Sequence, residues 1–290
     1  MLRRVAVIGA GTMGQGIVIT IAQASIDVVF KELNEKNVKS ALKGIDMNLD
    51  REIEKWSITK SEKNAILSRI KGTYTYDDNI KAVDLVIESI KDDFEKKSKL
   101  FTELDSILEP NLIIASNTSA LSITELAGKT KRADKVVGMH FMNPVTKRPL
   151  VEIVRGLKTS DETVKFVQDF AKIINKTAIE VLEYPGRVTI RLIIPLINEA
   201  MYVVMEGVAI AKDVDTAMKL GFNFPIGPLA LADQMGLDEV MLWMEHLFHE
   251  LGDLKYRPCP LLRKMVRAGL WGVKTRMGFF KYDENGRMIE

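Results

Sequence analysis

A histidine and a glutamate that could act together in proton transfer occupy neighbouring apolar segments of the sequence. His140 lies near the end of the apolar segment 136–141, and Glu152 lies within the next one, 150–155. Histidine titrates near neutrality and can remove a proton from an alcohol, and a carboxylate beside it orients the ring. Composition alone is equally compatible with a structural histidine, so a catalytic role for the pair is a hypothesis.

Small polar residues follow a further apolar segment, residues 111–116. Asn117 and Ser119 come after it, at the kind of strand end where open α/β sheets bind ligands. Ser122, with Glu125 after it in the spacing of a capping box, predicts a helix cap. A cap formed by Ser122 leaves Asn117 and Ser119 available for a ligand.

A glycine-rich turn near the N-terminus has the spacing of a dinucleotide-binding motif. It follows the apolar run 5–8 and precedes a helical pattern. In such turns the first glycine makes the tight turn, the second lets the backbone approach a pyrophosphate, and the third lets helix and strand pack closely. The residues of this turn that we expect to contact the dinucleotide are Gly9, Gly11, Thr12, Met13 and Gly14.

Glu32 ends the next predicted strand, 18 residues beyond Gly14. A carboxylate at this position accepts hydrogen bonds from the adenosine ribose and repels a 2′-phosphate, which favours NAD over NADP. Lys31 beside it weakens that preference. A solvated strand end is the alternative interpretation of Glu32.

The overall charge and the cysteine content argue against several classes of protein. The 290 residues include 41 Lys or Arg and 39 Asp or Glu, a net charge of +2, so no global field attracts nucleic acid or an anionic membrane. Cys259 is the single cysteine and cannot form an intrachain disulfide, which suits a reducing cytoplasm or matrix, and we expect a cytoplasmic protein. The uncharged stretch 5–26 is broken by glycines and polar residues, so we expect neither a signal peptide nor a membrane span.

Short apolar segments alternate with helical patterns over the first part of the chain. This alternation predicts an α/β fold over residues 1–185, in which a Rossmann-like, mostly parallel sheet is covered by helices on both faces. The predicted strands are 2–8, 27–32, 83–88, 111–116, 135–141 and 150–155, and 176–182 could add a last strand. The predicted helices are 13–24, 34–70 with an interruption near 57–59, 93–108 and 161–174.

After residues 184–186 the pattern becomes helical throughout. We therefore predict an all-helical C-terminal domain over residues 186–290. The predicted helices are 190–211, despite Pro195, and then 214–220, 237–251 and 261–268. His246 and His249 lie on one of these helices, but their spacing without a third ligand favours a partly solvated face over a metal site.

Taken together, these motifs resemble the L-3-hydroxyacyl-CoA dehydrogenase family, and in particular its single-chain 3-hydroxybutyryl-CoA dehydrogenase-like members. The resemblance covers nearly the whole chain. The motifs that carry it are the glycine turn, Val86-Ile87-Glu88, Ser116-Asn117-Thr118-Ser119, His140-Phe141-Met142-Asn143-Pro144, Leu150-Val151-Glu152, Gly227-Pro228-Leu229 and Lys255-Tyr256-Arg257-Pro258.

The resemblance implies NAD-dependent oxidation of a 3-hydroxyacyl-CoA, or the reverse reduction, as in fatty acid metabolism and β-oxidation. It assigns His140 as general base, Glu152 as its partner, and Ser119 as the hydroxyl that bonds the reacting oxygen. Further positions that match cofactor-contacting residues of the family are Glu88, Asp92, Lys97, Asn117 and Asn143. Asp92 stands where the family generally has glutamate.

Several positions depart from the family pattern. Ile190 replaces an asparagine that normally contacts the substrate oxygen, and losing such a donor costs about 2–4 kcal/mol of transition-state stabilisation when nothing replaces it. Arg187 and Arg148 also lie in segments whose sequences differ from the corresponding motifs of the family. The enzyme could retain its activity with altered pocket chemistry, serve a bulkier or acidic acyl-CoA through these arginines, or be a weakened or inactive relative that still binds NAD and CoA.

The resemblance also implies that a helical hairpin after the second strand helps to hold CoA. Lys55, Lys60 and Lys63 are the candidates for binding its 3′-phosphate, although a solvated helical pair fits the same composition. A homodimer through the C-terminal domain is expected from the family, whereas the sequence equally accepts an intrachain core.

Two rival functions remain open. One is a non-enzymatic dinucleotide-binding or structural protein, against which the retention of His140, Glu152 and Ser119 argues. The other is a dehydrogenase of a free 3-hydroxy acid, a class that commonly uses a lysine of its helical domain. Lys212 and Lys219 are the early candidates for that lysine.

Overall fold

The computed structural model describes residues 2–289, apart from the side chain of residue 78. The chain divides into two compact units, Met1–Glu183 and Tyr184–Glu290. The predicted boundary after residue 185 falls next to this division. Each unit has its own hydrophobic core.

The first unit is built on one eight-stranded sheet with the order β3-β2-β1-β4-β5-β6-β7-β8. The strands are β1 (Arg4–Ile8), β2 (Asp27–Lys31), β3 (Ile70–Thr73), β4 (Leu85–Glu88), β5 (Ile113–Ser116), β6 (Val136–Phe141), β7 (Leu150–Arg155) and β8 (Thr177–Leu182). Neighbours from β3 through β6 pair in parallel, β7 is antiparallel to β6, and β8 is parallel to β7. The predicted α/β, mostly parallel sheet is confirmed.

Helices cover both faces of this sheet. They are α1 (Thr12–Gln23), α2 (Glu35–Glu54), α3 (Lys60–Leu67), α4 (Asp78–Lys81), α5 (Phe94–Ile107), α6 (Ile123–Ala127) and α7 (Asp161–Ile173). Successive residues of β1 enter different core clusters: Val5 and Val7 pack in the cluster that contains residues of α1 and α2, and Ala6 and Ile8 in the one that contains residues of α5. Side chains of a strand alternate between faces, so both faces of β1 are buried.

One strand of this unit was missed from sequence. The segment 34–70 is predicted to be helical with an interruption near 57–59. The interruption is confirmed, because it separates α2 from α3, but the end of the segment forms the start of β3, which pairs in parallel with β2. Only Ile70 of β3 is buried, so the strand has too short and too polar a pattern to be distinguished. The predicted cap at Ser122 is confirmed, because its side chain accepts a hydrogen bond from the Glu125 N–H at the start of α6.

The second unit is helical, as predicted. Over residues 184–289 the described backbone forms α8 (Thr189–Met205), α9 (Ala211–Phe222), α10 (Pro228–Met235), α11 (Leu237–Leu251) and α12 (Pro260–Arg267), with short 3-10 turns and isolated β bridges. The prediction of one helix over 190–211 is wrong. Gly207, with φ of +74°, ends α8, and the Val208 N–H donates back to the Val203 carbonyl.

Helix α10 was also missed, because its glycine- and proline-rich approach indicates a turn. Pro228 is at its start, where a missing N–H costs no helical hydrogen bond. Within residues 2–289, no helix has both the length and the apolar character needed to cross a membrane.

Candidate active site

The glycine turn between β1 and α1 has the geometry of a phosphate-binding loop. Gly9 has φ of +94°, a conformation that favours glycine. A Cβ atom on Gly14 would overlap the Gly9 carbonyl, so only glycine lets α1 lie this close to the turn. Gly11 instead faces open space, because no atom lies within 4 Å of the position that a Cβ atom on this residue would occupy. The start of α1 thus leaves room for a pyrophosphate beside its free N–H groups.

Glu32 is held against this turn. Its Oε1 accepts a hydrogen bond from the Ala10 N–H at 2.6 Å, and its Oε2 lies 3.5 Å from Asn37 Nδ2. The carboxylate is half-buried rather than a solvated strand end. It therefore lies next to the position that the glycines leave open, where an adenosine ribose can be recognised.

His140 and Glu152 form a direct pair across the only antiparallel junction among the described strands of the sheet. They are opposite each other in the register of β6 and β7, so their side chains leave the same face. The distance from His140 Nδ1 to Glu152 Oε2 is 2.8 Å. The Glu152 side chain is fully buried and that of His140 is 10% exposed. With Nδ1 facing Glu152, proton exchange with a substrate would take place at Nε2.

Ser119 is bound to a second group of charges, which is fully buried at Glu88 and Lys97 and partly exposed at Asp92. Its N–H and its hydroxyl both donate to Asp92 Oδ2 at 2.9 Å. The other oxygen of Asp92 lies 3.0 Å from Lys97 Nζ, which also contacts both carboxylate oxygens of Glu88 at 2.7 and 2.8 Å. Ser116 donates to Glu88 Oε2 at 2.6 Å. The ends of β4 and β5 are thereby linked to Ser119 through an unbroken chain of polar contacts.

The two carboxylates of this group have opposite pKa shifts. Burial raises the pKa of Glu88 above its ordinary value, against the opposing effects of Lys97 and Ser116. Burial also opposes ionisation of Asp92, but Lys97 and the Ser119 N–H and O–H together lower the pKa of this carboxyl. Asp92 is thus a stable anion that can accept the hydroxyl proton of Ser119 in a hydrogen bond.

The predicted cofactor-contacting residues differ in where they lie. Glu88 and Lys97 are fully buried and contact each other, so in this structure they support the strand ends. Asn117 joins two strand ends: its Oδ1 accepts from the Phe141 N–H at 3.0 Å, and its Nδ2 donates to Ser89 Oγ at 3.2 Å. Asn143 is exposed on the loop after β6. Contact of these residues with NAD stays a prediction.

Sequence reasoning missed a lysine that holds this loop. Lys176 is buried, and its ammonium donates to the carbonyls of Val145 and, at 2.8 Å, Arg148. Burial lowers its pKa. A lysine at the first position of a predicted strand looks like an ordinary surface residue, and no signal in the sequence indicates its burial.

The three lysines of the hairpin between α2 and α3 are not equivalent. Lys63 Nζ lies 2.6 Å from Asp46 Oδ1 and 2.7 Å from Asp50 Oδ1, and its side chain is 13% exposed. Lys55 and Lys60 are exposed, and neither forms an ion pair with a described residue. Lys55 and Lys60 can therefore meet a phosphate directly, whereas Lys63 is occupied in joining the two helices.

The departures from the family pattern lie in different environments. Ile190, at the start of α8, packs against the core of the second unit. Arg187 is 7% exposed and has φ of +51°. Arg148, in the first unit, is exposed. Among the described residues, no group of three His, Cys, Asp or Glu side chains could hold a metal ion.

Comparison with known proteins gives a consistent assignment. The family model described as "3-hydroxyacyl-CoA dehydrogenase, NAD binding domain" matches residues 4–184, and that described as "3-hydroxyacyl-CoA dehydrogenase, C-terminal domain" matches residues 186–282. The chain belongs to the 3-hydroxyacyl-CoA dehydrogenase family. Its cofactor is NAD, and it is an oxidoreductase.

Similar members of this family align over almost their entire length. A probable 3-hydroxybutyryl-CoA dehydrogenase of Bacillus subtilis is 47% identical, with 98% of each chain covered. A 3-hydroxybutyryl-CoA dehydrogenase of Clostridioides difficile is 46% identical over 97% of this chain and 100% of its own. The crystal structure of (S)-3-hydroxybutyryl-CoA dehydrogenase from Ralstonia eutropha has a TM-score of 0.92 at 45% identity, covering 98% of this chain and 100% of that one.

Proposed function

We propose that this protein interconverts a short-chain 3-hydroxyacyl-CoA and the corresponding 3-oxoacyl-CoA, with His140 as the general base. The observation that carries the proposal is the 2.8 Å contact between His140 Nδ1 and the buried Glu152. The names of the similar proteins favour a four-carbon acyl group, 3-hydroxybutyryl.

The chain's own residues have distinct roles in this reaction. His140 accepts the substrate hydroxyl proton at Nε2, and Glu152 stabilises the imidazolium that forms. Because the Ser119 hydroxyl donates to Asp92, its oxygen can accept a hydrogen bond from the substrate hydroxyl. The chemistry that bound NAD would supply is acceptance of the hydride. The glycine turn and Glu32 would hold its pyrophosphate and adenosine ribose.

Lys55 and Lys60 are the proposed partners of the CoA phosphates. Both are exposed and neither is paired with a described carboxylate, which distinguishes them from Lys63. Arg148 is available in the first unit for a distal acidic group if the acyl chain carries one. An acidic acyl-CoA is therefore included among the substrates to be tested.

Ile190 supports a second candidate function, that of a family member whose activity on CoA esters is weak or lost. An apolar residue here offers no donor to a substrate oxygen. The retained His140–Glu152 pair favours activity. The alternative, a dehydrogenase of a free 3-hydroxy acid, needs a catalytic lysine. No contact in the described structure marks Lys212 or Lys219 for that role.

The test is NADH oxidation with acetoacetyl-CoA and with free acetoacetate, using the wild-type chain and Ile190→Asn. We expect turnover of the CoA ester and a much lower kcat/KM for the free acid. Silence of the wild type with short, long and dicarboxylic 3-oxoacyl-CoAs would refute the enzyme assignment made here. Activity on acetoacetate alone would favour the free-acid dehydrogenase instead, and activity that appears only in Ile190→Asn would identify a weakened relative.

We further infer a homodimer formed by the second unit. Several large apolar side chains of this unit are mostly exposed, and apolar surface is what a protein–protein interface buries. They are Leu192, Val208, Ile210, Leu220 and Phe222. Light scattering should give twice the chain mass, and a monomer at micromolar concentration would contradict the inference. The single buried Cys259 suits a reducing compartment such as the cytoplasm.

A further inference from the structure

Trp56, at the tip of the hairpin between α2 and α3, combines two unusual properties. Its side chain is 95% exposed, which is rare for the largest apolar side chain. Its φ is +57°, in the left-handed region that bulky residues seldom adopt. Both features oppose stability, so the presence of tryptophan at this position calls for a cause outside the fold.

The hydrogen bonds around Trp56 identify the position that it occupies. The Trp56 N–H donates to the Ile53 carbonyl and the Ser57 N–H to the Glu52 carbonyl, both at 2.9 Å. This pair of bonds is a Schellman motif, which ends a helix with a left-handed residue, usually glycine. The same pair of bonds ends α7, α8 and α12, where the residues equivalent to Trp56 are Asn175, Gly207 and Gly269. Three helix ends thus carry residues that suit the conformation, and the hairpin tip carries a tryptophan.

The turn that carries Trp56 is fixed on both sides. After it, Thr59 and Glu62 form a capping box that starts α3. Beneath it, Ile58 packs against the main core of the first unit. Lys63 joins α3 to Asp46 and Asp50 of α2. The indole is therefore presented to solvent by a rigid support rather than by a loose loop.

Two exposed cations close to Trp56 in sequence point to the chemistry of its ligand. Lys55 precedes Trp56 directly and Lys60 starts α3, and both are exposed. A flat aromatic surface with adjacent cations is suited to a phosphorylated nucleoside, whose base stacks on the ring while its phosphates meet the ammonium groups. The proposed substrate carries such a group, the adenosine 3′-phosphate 5′-diphosphate part of CoA.

We propose that Trp56 is a specificity-determining residue that stacks on the adenine of the CoA ester. This inference rests on the proposed function, since it takes the substrate to be a CoA ester. Binding of the adenine explains why this position carries a tryptophan in the left-handed conformation, although glycine would be more stable there.

The kinetic test compares acetoacetyl-CoA with acetoacetyl-pantetheine, which lacks the nucleotide, for the wild type, Trp56→Gly and Trp56→Phe. Trp56→Gly should raise KM for the CoA ester by about 5- to 30-fold. It should leave kcat and the KM for the pantetheine ester unchanged. Trp56→Phe, which keeps an aromatic face, should have an intermediate effect. As a matched control, Leu157→Ala alters another highly exposed apolar residue of the same unit and should change neither KM.

Thermal unfolding separates this role from a structural one. Trp56→Gly relieves the left-handed strain and should raise Tm by about 1–3 °C while binding weakens. A role in folding would instead lower Tm. An unchanged ratio of the two KM values, equal effects on both esters, or dissociation of an oligomer without a change in KM would overturn the proposal.

A binding measurement keeps the test independent of catalysis. Adenosine 3′,5′-bisphosphate should quench the fluorescence of the wild type, whose other tryptophans are Trp243 and Trp271, and should not quench Trp56→Gly. Absence of quenching in the wild type contradicts stacking. If the wild type turns over neither ester, the proposed function fails, and the quenching result still decides whether Trp56 binds the nucleotide.

Discussion

Two regions of the first unit combine charged residues in opposite ways. The strand-end cluster consists of two mostly buried groups, and the members of each group contact one another: His140 with Glu152, and Ser119, Asp92, Lys97 and Glu88. The hairpin tip, residues 55–60, instead exposes Lys55, Trp56 and Lys60 to solvent. In the proposed function, the cluster holds its groups in place before a substrate arrives, whereas the tip binds the nucleotide part of the ligand.

The comparison implies different consequences of mutation in the two regions. Removing a member of the cluster leaves a buried partner without its counter-charge or hydrogen bond, which costs stability or turnover. Removing the side chain of Lys55, Trp56 or Lys60 breaks no ion pair of the described residues, so we expect the main change to be in recognition of the ligand.

The largest effect is expected on catalysis from Glu152→Gln. The amide keeps the shape but no longer stabilises the imidazolium, so kcat/KM should fall by about 10²- to 10⁴-fold with little change in NADH affinity. Steady-state kinetics with acetoacetyl-CoA measure this. Glu180→Gln, on the neighbouring β8 and paired with Arg155, is the control and should retain activity. Equal losses in both variants would contradict a specific role of Glu152.

Lys97→Met should cause the largest loss of stability. It leaves Glu88 fully buried without its ammonium partner, which should lower the free energy of unfolding by about 3–5 kcal/mol. Urea unfolding measures this. The adjacent Lys96 pairs with Asp93 but its side chain is 70% exposed, so Lys96→Met should cost less than about 1 kcal/mol. Similar values for the two variants would remove the distinction between buried and exposed pairs.

Lys176→Met should have an intermediate effect. The carbonyls of Val145 and Arg148 lose their buried donor, at a cost of about 1–3 kcal/mol of unfolding free energy. KM for NADH should also rise, since the loop that carries Asn143 is no longer held. Lys172→Met, on the exposed side of α7, is the control. Unaltered stability in Lys176→Met would show that the ammonium does not hold the loop.

The smallest effects are expected at the hairpin. Lys55→Gln and Lys60→Gln should each raise KM for acetoacetyl-CoA a few-fold, more at low salt than at high salt, without changing Tm. Lys63→Gln should leave KM unchanged and lower the free energy of unfolding by up to about 1 kcal/mol, because it removes the ion pairs with the exposed carboxylates of Asp46 and Asp50. A KM effect confined to Lys63→Gln would reverse the assignment of these lysines.

The fold was largely predictable because its signals are local. The glycine turn and the alternation of apolar strands with helices each depend on a few consecutive residues. They predict the sheet, the first helix and the position of Glu32 at the end of the second strand. Strand β3 was lost because its four residues bury only Ile70. The division of 190–211 into two helices depends on one left-handed Gly207.

The site was predictable as a set of residues but not as a set of contacts. Sequence places Glu152 on the strand after His140, but it cannot say that β7 turns antiparallel and sets the two residues opposite each other. It treats Lys55, Lys60 and Lys63 alike, although ion pairs with α2 separate the last from the others. It also gives no sign that Lys97 and Lys176 are buried, because burial is decided by tertiary packing.

The most direct test of the central claim is the rate of hydride transfer in a single turnover, with acetoacetyl-CoA and pre-bound NADH, for the wild type and His140→Gln. The account predicts that His140→Gln binds NADH with unchanged affinity and transfers hydride about 10²- to 10⁴-fold more slowly, because the proton can no longer be exchanged at Nε2. A wild-type rate in His140→Gln would contradict the account.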